Sequence, residues 1–197
     1  MNATTQRNAL ILFLLAALMV ATRLHHFAAV PDASWAVFFA AGFYLRRWTA
    51  WAFPLLMLLA VAVDYIVITG QGINFWTHYC VSPGYWMLVP AYFSMWLGGL
   101  LLRRSYRGAS LRALGMLAVT LTASVALCHL FSQGGFYWLS DSVAEPTLAG
   151  WWKNYTDWLL PYLRVTAIYT GLIALVQVGA EQVARVRHDR DADQWSN

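Results

Sequence analysis

Six apolar runs, separated by short polar breaks, limit what this chain can fold into more than any other feature. They cover roughly residues 9–22, 30–45, 48–69, 85–102, 111–131 and 158–180. A helix that crosses a bilayer needs about 20 predominantly apolar residues, with a range near 17–25. The first run reaches that length if the helix continues to Arg23 and Leu24. The second is expected to start at Pro31, since proline favours the first helical position. Only 11% of the residues are charged and 60% are hydrophobic, whereas about a quarter of a soluble domain is charged. The sequence therefore predicts an all-α membrane protein of six transmembrane helices, with residues 1–197 forming one polytopic domain. The charged stretch from about 185 to 197 reads as a loosely ordered cytoplasmic tail.

Lysine and arginine counts set the expected orientation. Arg7, Arg46, Arg47, Arg103, Arg104, Arg107, Arg112, Arg185, Arg187 and Arg190 fall on one side, and only Arg23, Lys153 and Arg164 on the other. Both termini are thus expected in the cytoplasm. The net charge of +4 follows from this bias and calls for no nucleic-acid partner. The first segment has a basic start and an apolar core, but MVATRLHH offers no good small-x-small cleavage site, so it reads as a retained helix.

The outward side carries three loops, around His25–Asp32, Gly70–Gly84 and Ser132–Asp157. The last two are rich in aromatic residues and glycine. Loops of that length on so small a protein usually carry function. His25, His26, His78 and His129 map to this side. Asp64 falls near the outer end of the third helix, where a carboxylate is costly unless paired; Arg23 and Arg164 are both candidate counter-ions. Trp151, Trp152 and Trp158 suit an interfacial aromatic belt. Tyr137 and Trp138, beside Gly134–Gly135, read as part of a lid or pocket wall. On the first helix, Ala17 and Ala21 form an AxxxA pair that permits close helix approach.

Cys80 stands inside the second loop, GQGINFWTHYCVSPGYW, and its thiol admits three readings. It is an ordinary small residue, or a disulfide partner for Cys128, which an oxidising periplasm permits. Alternatively it serves a membrane thiol enzyme, with His78 as base, or joins the outer histidines in a haem or metal site. The two cysteines form no CxxC pair, which excludes a zinc ribbon or thioredoxin-like motif. In the third reading the soft thiolate ligates a metal-bearing ligand delivered from outside. The aromatic residues Phe75, Trp76, Tyr79, Tyr85 and Trp86 would then wall a planar molecule.

RLHHF at Arg23–Phe27, FFAAGFYLRR at Phe38–Arg47, the third helix from Pro54 to Asp64, the Gly72–Trp86 loop and the GGFYWLSD to LLPYLR run resemble one group of proteins. These are the S-components of energy-coupling-factor (ECF) vitamin transporters, and more narrowly the solitary bacterial cobalamin (vitamin B12) transporters related to them. The resemblance covers roughly Arg23 to Tyr169 and implies an ECF S-component-like bundle in the bacterial inner membrane. Its cargo would be cobalamin, bound at the outer face with Cys80 as axial ligand to cobalt and His78 as an alternative ligand. Tyr85, Trp86, Tyr137 and Trp138 would wall the pocket, and Lys153 would meet polar side chains of the corrin or its phosphate. Ala17 and Ala21 would be where an ECF coupling module docks. No nucleotide-binding motif is present, so any ATP energy would come from partner subunits. Thiolate ligation would also favour slow loss of cyanide from cyanocobalamin, a side reaction of Cys80 on a transporter.

Overall fold

Each long apolar run holds a helix, and among the described residues six helices, α1–α6, follow one another along the chain. A computed structural model describes residues 2–24, 31–78 and 81–195, with side chains described as far as residue 187. The elements are α1 (Ala3–Arg23), α2 (Ser34–Tyr44), α3 (Thr49–Gly70), α4 (Leu88–Ser105), α5 (Leu111–Leu139) and α6 (Leu148–Trp195). Short 3-10 turns at Arg46–Trp48, Phe75–Thr77 and Pro83–Met87 lie between them. Among the described residues there is no strand.

Five of the six helices are long and apolar enough to cross a membrane, counting the 3-10 turns that lead into α3 and α4. Many of their large apolar side chains point outward: Phe13, Leu58, Ile66, Val119, Leu160 and Leu175 are all exposed. An apolar exterior on this scale belongs in lipid, and the protein is a multi-pass membrane protein. α2 departs from the expected six full spans. At 11 residues it extends about 16 Å, roughly half the hydrocarbon thickness. It also starts at Ser34 rather than Pro31. The Asp32 carboxylate accepts the Ser34 backbone N–H (2.9 Å) and hydroxyl (2.6 Å), which holds the chain ahead of the helix in an Asx turn.

α2 is short because it forms the core of the bundle. Every residue from Ser34 to Phe43 is buried, as expected for a helix that is apolar all round. It packs chiefly on α4, and then on α1 and α6. In lipid, helices gain little from hiding apolar surface, so close backbone approach matters more. A Cβ on Gly42 would overlap the Trp96 backbone, and one on Gly99 the Phe39 backbone. Phe38 stacks on Tyr92 at 4.5 Å, and the Trp96 indole donates to the Thr49 hydroxyl at 3.0 Å.

Two further boundaries differ from expectation. The stretch expected as a loop from Ser132 to Asp157 is mostly helix: α5 runs through Gly134–Gly135 to Leu139, and α6 starts at Leu148. Only residues 140–147 connect them. α6 continues to Trp195, into the charged stretch read as a cytoplasmic tail. Alternation of the helices brings the start of α1, the α2–α3 and α4–α5 connections and the C-terminal part of α6 to one basic end, where Tyr44 bonds Gln177 and Tyr106 bonds Glu181. The aromatic connections gather at the other end.

Candidate functional site

At the end opposite the arginines, one guanidinium organises the bundle. Arg23, the last residue of α1, donates to both oxygens of Asp64 on α3, from Nε to Oδ1 at 2.6 Å and from Nη2 to Oδ2 at 2.7 Å. Its Nη1 reaches Asp32 Oδ2 at 2.9 Å, and the Ser34 and Tyr92 hydroxyls at 3.1 Å each. The fork geometry of arginine suits this two-point carboxylate contact. The side chains are largely hidden, at 9% exposure for Arg23 and 18% for Asp64. One guanidinium thus faces the carboxyl groups of both Asp32 and Asp64.

Of the two candidate counter-ions for Asp64, Arg23 is the partner; Arg164 is exposed on α6. Asp32, Ser34, Tyr92 and the Tyr85 hydroxyl were not foreseen as members of the cluster. A sequence signal existed for part of it, since every ionisable group at membrane depth needs a partner. Tyr92, inside an apolar run, gave none.

The cluster also holds the aromatic loop. Tyr85 sits in the 3-10 turn Pro83–Met87 and donates its hydroxyl to Asp64 Oδ2 at 2.6 Å. The same turn is pressed against α5 at two glycines. A Cβ on Gly84 would overlap the Gly135 backbone, and one on Gly135 would overlap Met87. Gly135 is therefore a seat for the loop inside a helix. At the other end of the loop Phe75 is buried, packing edge-on to Trp76 at 5.2 Å and near Tyr65 at 5.4 Å. Burying such a ring relative to water stabilises by about 1.5–3 kcal/mol. A hollow of about 460 Å³ opens beside it, lined by Tyr65, Thr69, Gly72, Ile73, Asn74, Phe75 and Trp76.

Cys80 lies outside the described residues, as do Tyr79, His25 and His26. His78 is part-exposed just before that gap. The anchors on either side are Phe75 and Tyr85, five residues from Cys80 in each direction. Trp76 and Trp86 are 77% and 75% exposed, leaving two indole faces open at this end.

The other expected site residues divide. Tyr137 is buried, and its hydroxyl accepts the Thr147 backbone N–H at 3.2 Å, next to the start of α6. Trp138 packs edge-on against it at 5.3 Å and stays exposed. Lys153 is exposed and pairs with Asp157 one turn along α6 at 2.6 Å. His129 is buried in the bundle: its ring lies beside Trp35, Tyr155 and Tyr162, and Nε2 donates to the Tyr155 carbonyl at 3.1 Å. Cys128 is a buried free thiol. Among the described residues no three His, Cys, Asp or Glu side chains converge as a metal site. Ala17 and Ala21 are both exposed along α1.

No protein-family model matches the chain, and no curated protein is detectably similar to it in sequence.

Proposed function

We propose that the protein takes up cobalamin across the bacterial inner membrane, binding the corrinoid at the aromatic end with Cys80 as axial ligand to cobalt. One observation carries this reading: the loop that bears Cys80 is fastened at Phe75 and Tyr85, with the Trp76 and Trp86 faces left open on either side. A broad, flat, largely apolar macrocycle suits such faces, and a soft thiolate suits its metal. The 460 Å³ hollow is smaller than a corrinoid, so the ligand would be held across the open loop surface. The basic end would face the cytoplasm, as the arginine bias requires.

In this scheme the residues have separate tasks. Cys80 binds cobalt, and Trp86 and Trp76 flank the ring. Tyr85 acts by tying the loop to Asp64. Tyr137 acts from behind, supporting the α5–α6 hairpin on which the turn rests. Lys153, released from Asp157, would meet the polar edge of the corrin. An ECF coupling module, where one is recruited, would dock along α1 at Ala17 and Ala21. Ligation by a thiolate also weakens the opposite cobalt–carbon bond of cyanocobalamin. Cyanide would leave with the bonding electron pair and take its proton from water, with no change in the oxidation state of cobalt.

Uptake by cells lacking any other cobalamin importer tests the proposal. Wild-type protein should restore cobalamin-dependent growth, and Cys80→Ala and Trp86→Ala should weaken it. Failure of wild type to restore growth, in cells where the protein reaches the membrane, would overturn the reading. Cyanide release should be faster with wild type than with Cys80→Ala, and equal rates would remove the side reaction.

A further inference from the structure

The basic end has its own cavity. A crevice of about 300 Å³ opens between α2, α5 and α6, with Phe39, Ala40, Ala113, Leu117, Ile173 and Ala174 among its walls. It exists because α5 and α6 are fastened mainly in their outer halves, by His129 to Tyr155, Gln133 to Asn154 and Tyr155 to Ala126. Toward the basic end α6 is met instead by the α4–α5 connection, through the Tyr106 hydroxyl and the Ala109 backbone N–H to Glu181.

A second recess of about 160 Å³ adjoins the crevice and shares Phe43, Tyr44 and Gln177 with it. Arg7 and Arg103 line this recess. The Arg103 guanidinium stands 5.3 Å from the centre of the Phe43 ring. Neither arginine forms an ion pair among the described residues. Glu181, the acid near this corner, already accepts from Tyr106, Gln177 and Ala109. The recess is therefore cationic, and it opens beside an apolar slot within a membrane-embedded bundle.

We infer that this corner binds one anionic glycerophospholipid of the adjacent leaflet, with an acyl chain in the crevice and the phosphate between Arg7 and Arg103. An apolar cavity holds water poorly, and lipid chains are the apolar material that surrounds it. Basic recesses next to membrane helices favour anionic headgroups by about fivefold for each arginine. The site is independent of the corrinoid reading, since it lies at the opposite end of the bundle.

The test uses full-length protein reconstituted in phosphatidylcholine bilayers, with spin-labelled phosphatidylglycerol or spin-labelled phosphatidylcholine as probe. Electron paramagnetic resonance reads the motionally restricted fraction of each. Phosphatidylglycerol should be preferred by wild type, and R7Q and R103Q should each lower that preference about fivefold. A174F, which fills the crevice, should remove the restricted phosphatidylglycerol while circular dichroism stays native; A113F serves if A174F does not fold. Equal retention of the two lipids by wild type would overturn the inference. So would unchanged preference in the arginine variants, or full retention in a folded crevice-filled variant.

Discussion

Replacing Arg23 by methionine removes the cation that two largely buried carboxylates share. Methionine keeps most of the length of the side chain, so the main loss is charge and hydrogen bonding. Five contacts disappear: two to Asp64 and one each to Asp32, Ser34 and Tyr92. Breaking a buried ion pair by deleting one partner costs about 3–5 kcal/mol, because the remaining charge stays buried without compensation. For a chain of this size each kcal/mol moves the melting temperature by about 2–4 °C, so a fall of about 6–20 °C is expected. The exposed pair Lys153–Asp157, with side chains 77% and 52% exposed, provides a control. Such i,i+4 pairs contribute about 0.3–0.5 kcal/mol, and Lys153→Met should shift the melting temperature by no more than about 2 °C. The assay is thermal unfolding in detergent, followed by intrinsic fluorescence. Adding Asp64→Asn to Arg23→Met removes one uncompensated charge and should recover part of the loss. An Arg23→Met protein as stable as Lys153→Met, or a double variant no better than Arg23→Met, would refute the reasoning.

The adjacent glycines separate close packing from flexibility. Gly84→Ala and Gly135→Ala should each destabilise by about 1–3 kcal/mol through overpacking, whereas Gly134→Ala, whose nearest neighbour is the Trp151 indole nitrogen at 3.7 Å, should be neutral or stabilising; equal behaviour of all three would contradict the seat on α5. An impermeant thiol reagent added to intact spheroplasts should label Cys80 and spare buried Cys128, and labelling of Cys80 only after permeabilisation would reverse the orientation.

The sequence was most legible where hydropathy alone decides the structure. α3 was expected at 48–69 and runs Thr49–Gly70, because charged or glycine-containing breaks coincide with its ends. α5 was harder to read. Its polar and aromatic continuation past Phe131 looks like a loop by hydropathy, yet it remains helical. That stretch is bound to α6 by Gln133–Asn154 and by Tyr137 to the Thr147 N–H, and a helix past the apolar run needs no apolar composition. For α2 the run of apolar residues predicts a span, but burial on every side permits a shorter helix. In the site, Asp64 showed its need for a cation, and Arg23 and Arg164 fitted equally well by position along their helices. Only the packing of α1 against α3 decides between them. Tyr85 was legible as an aromatic residue of the loop, while its bond to Asp64 depends on how the turn Pro83–Met87 folds back.

The visible spectrum of protein purified from cells supplied with cobalamin tests the central claim most directly. Wild-type protein should retain a corrinoid whose absorption bands are shifted from those of free cobalamin by thiolate ligation. In Cys80→Ser, where oxygen is a harder and poorer donor, the shift should vanish or the corrinoid should be lost. A colourless wild-type protein, or a corrinoid spectrum identical in wild type and Cys80→Ser, would contradict cobalt ligation by Cys80.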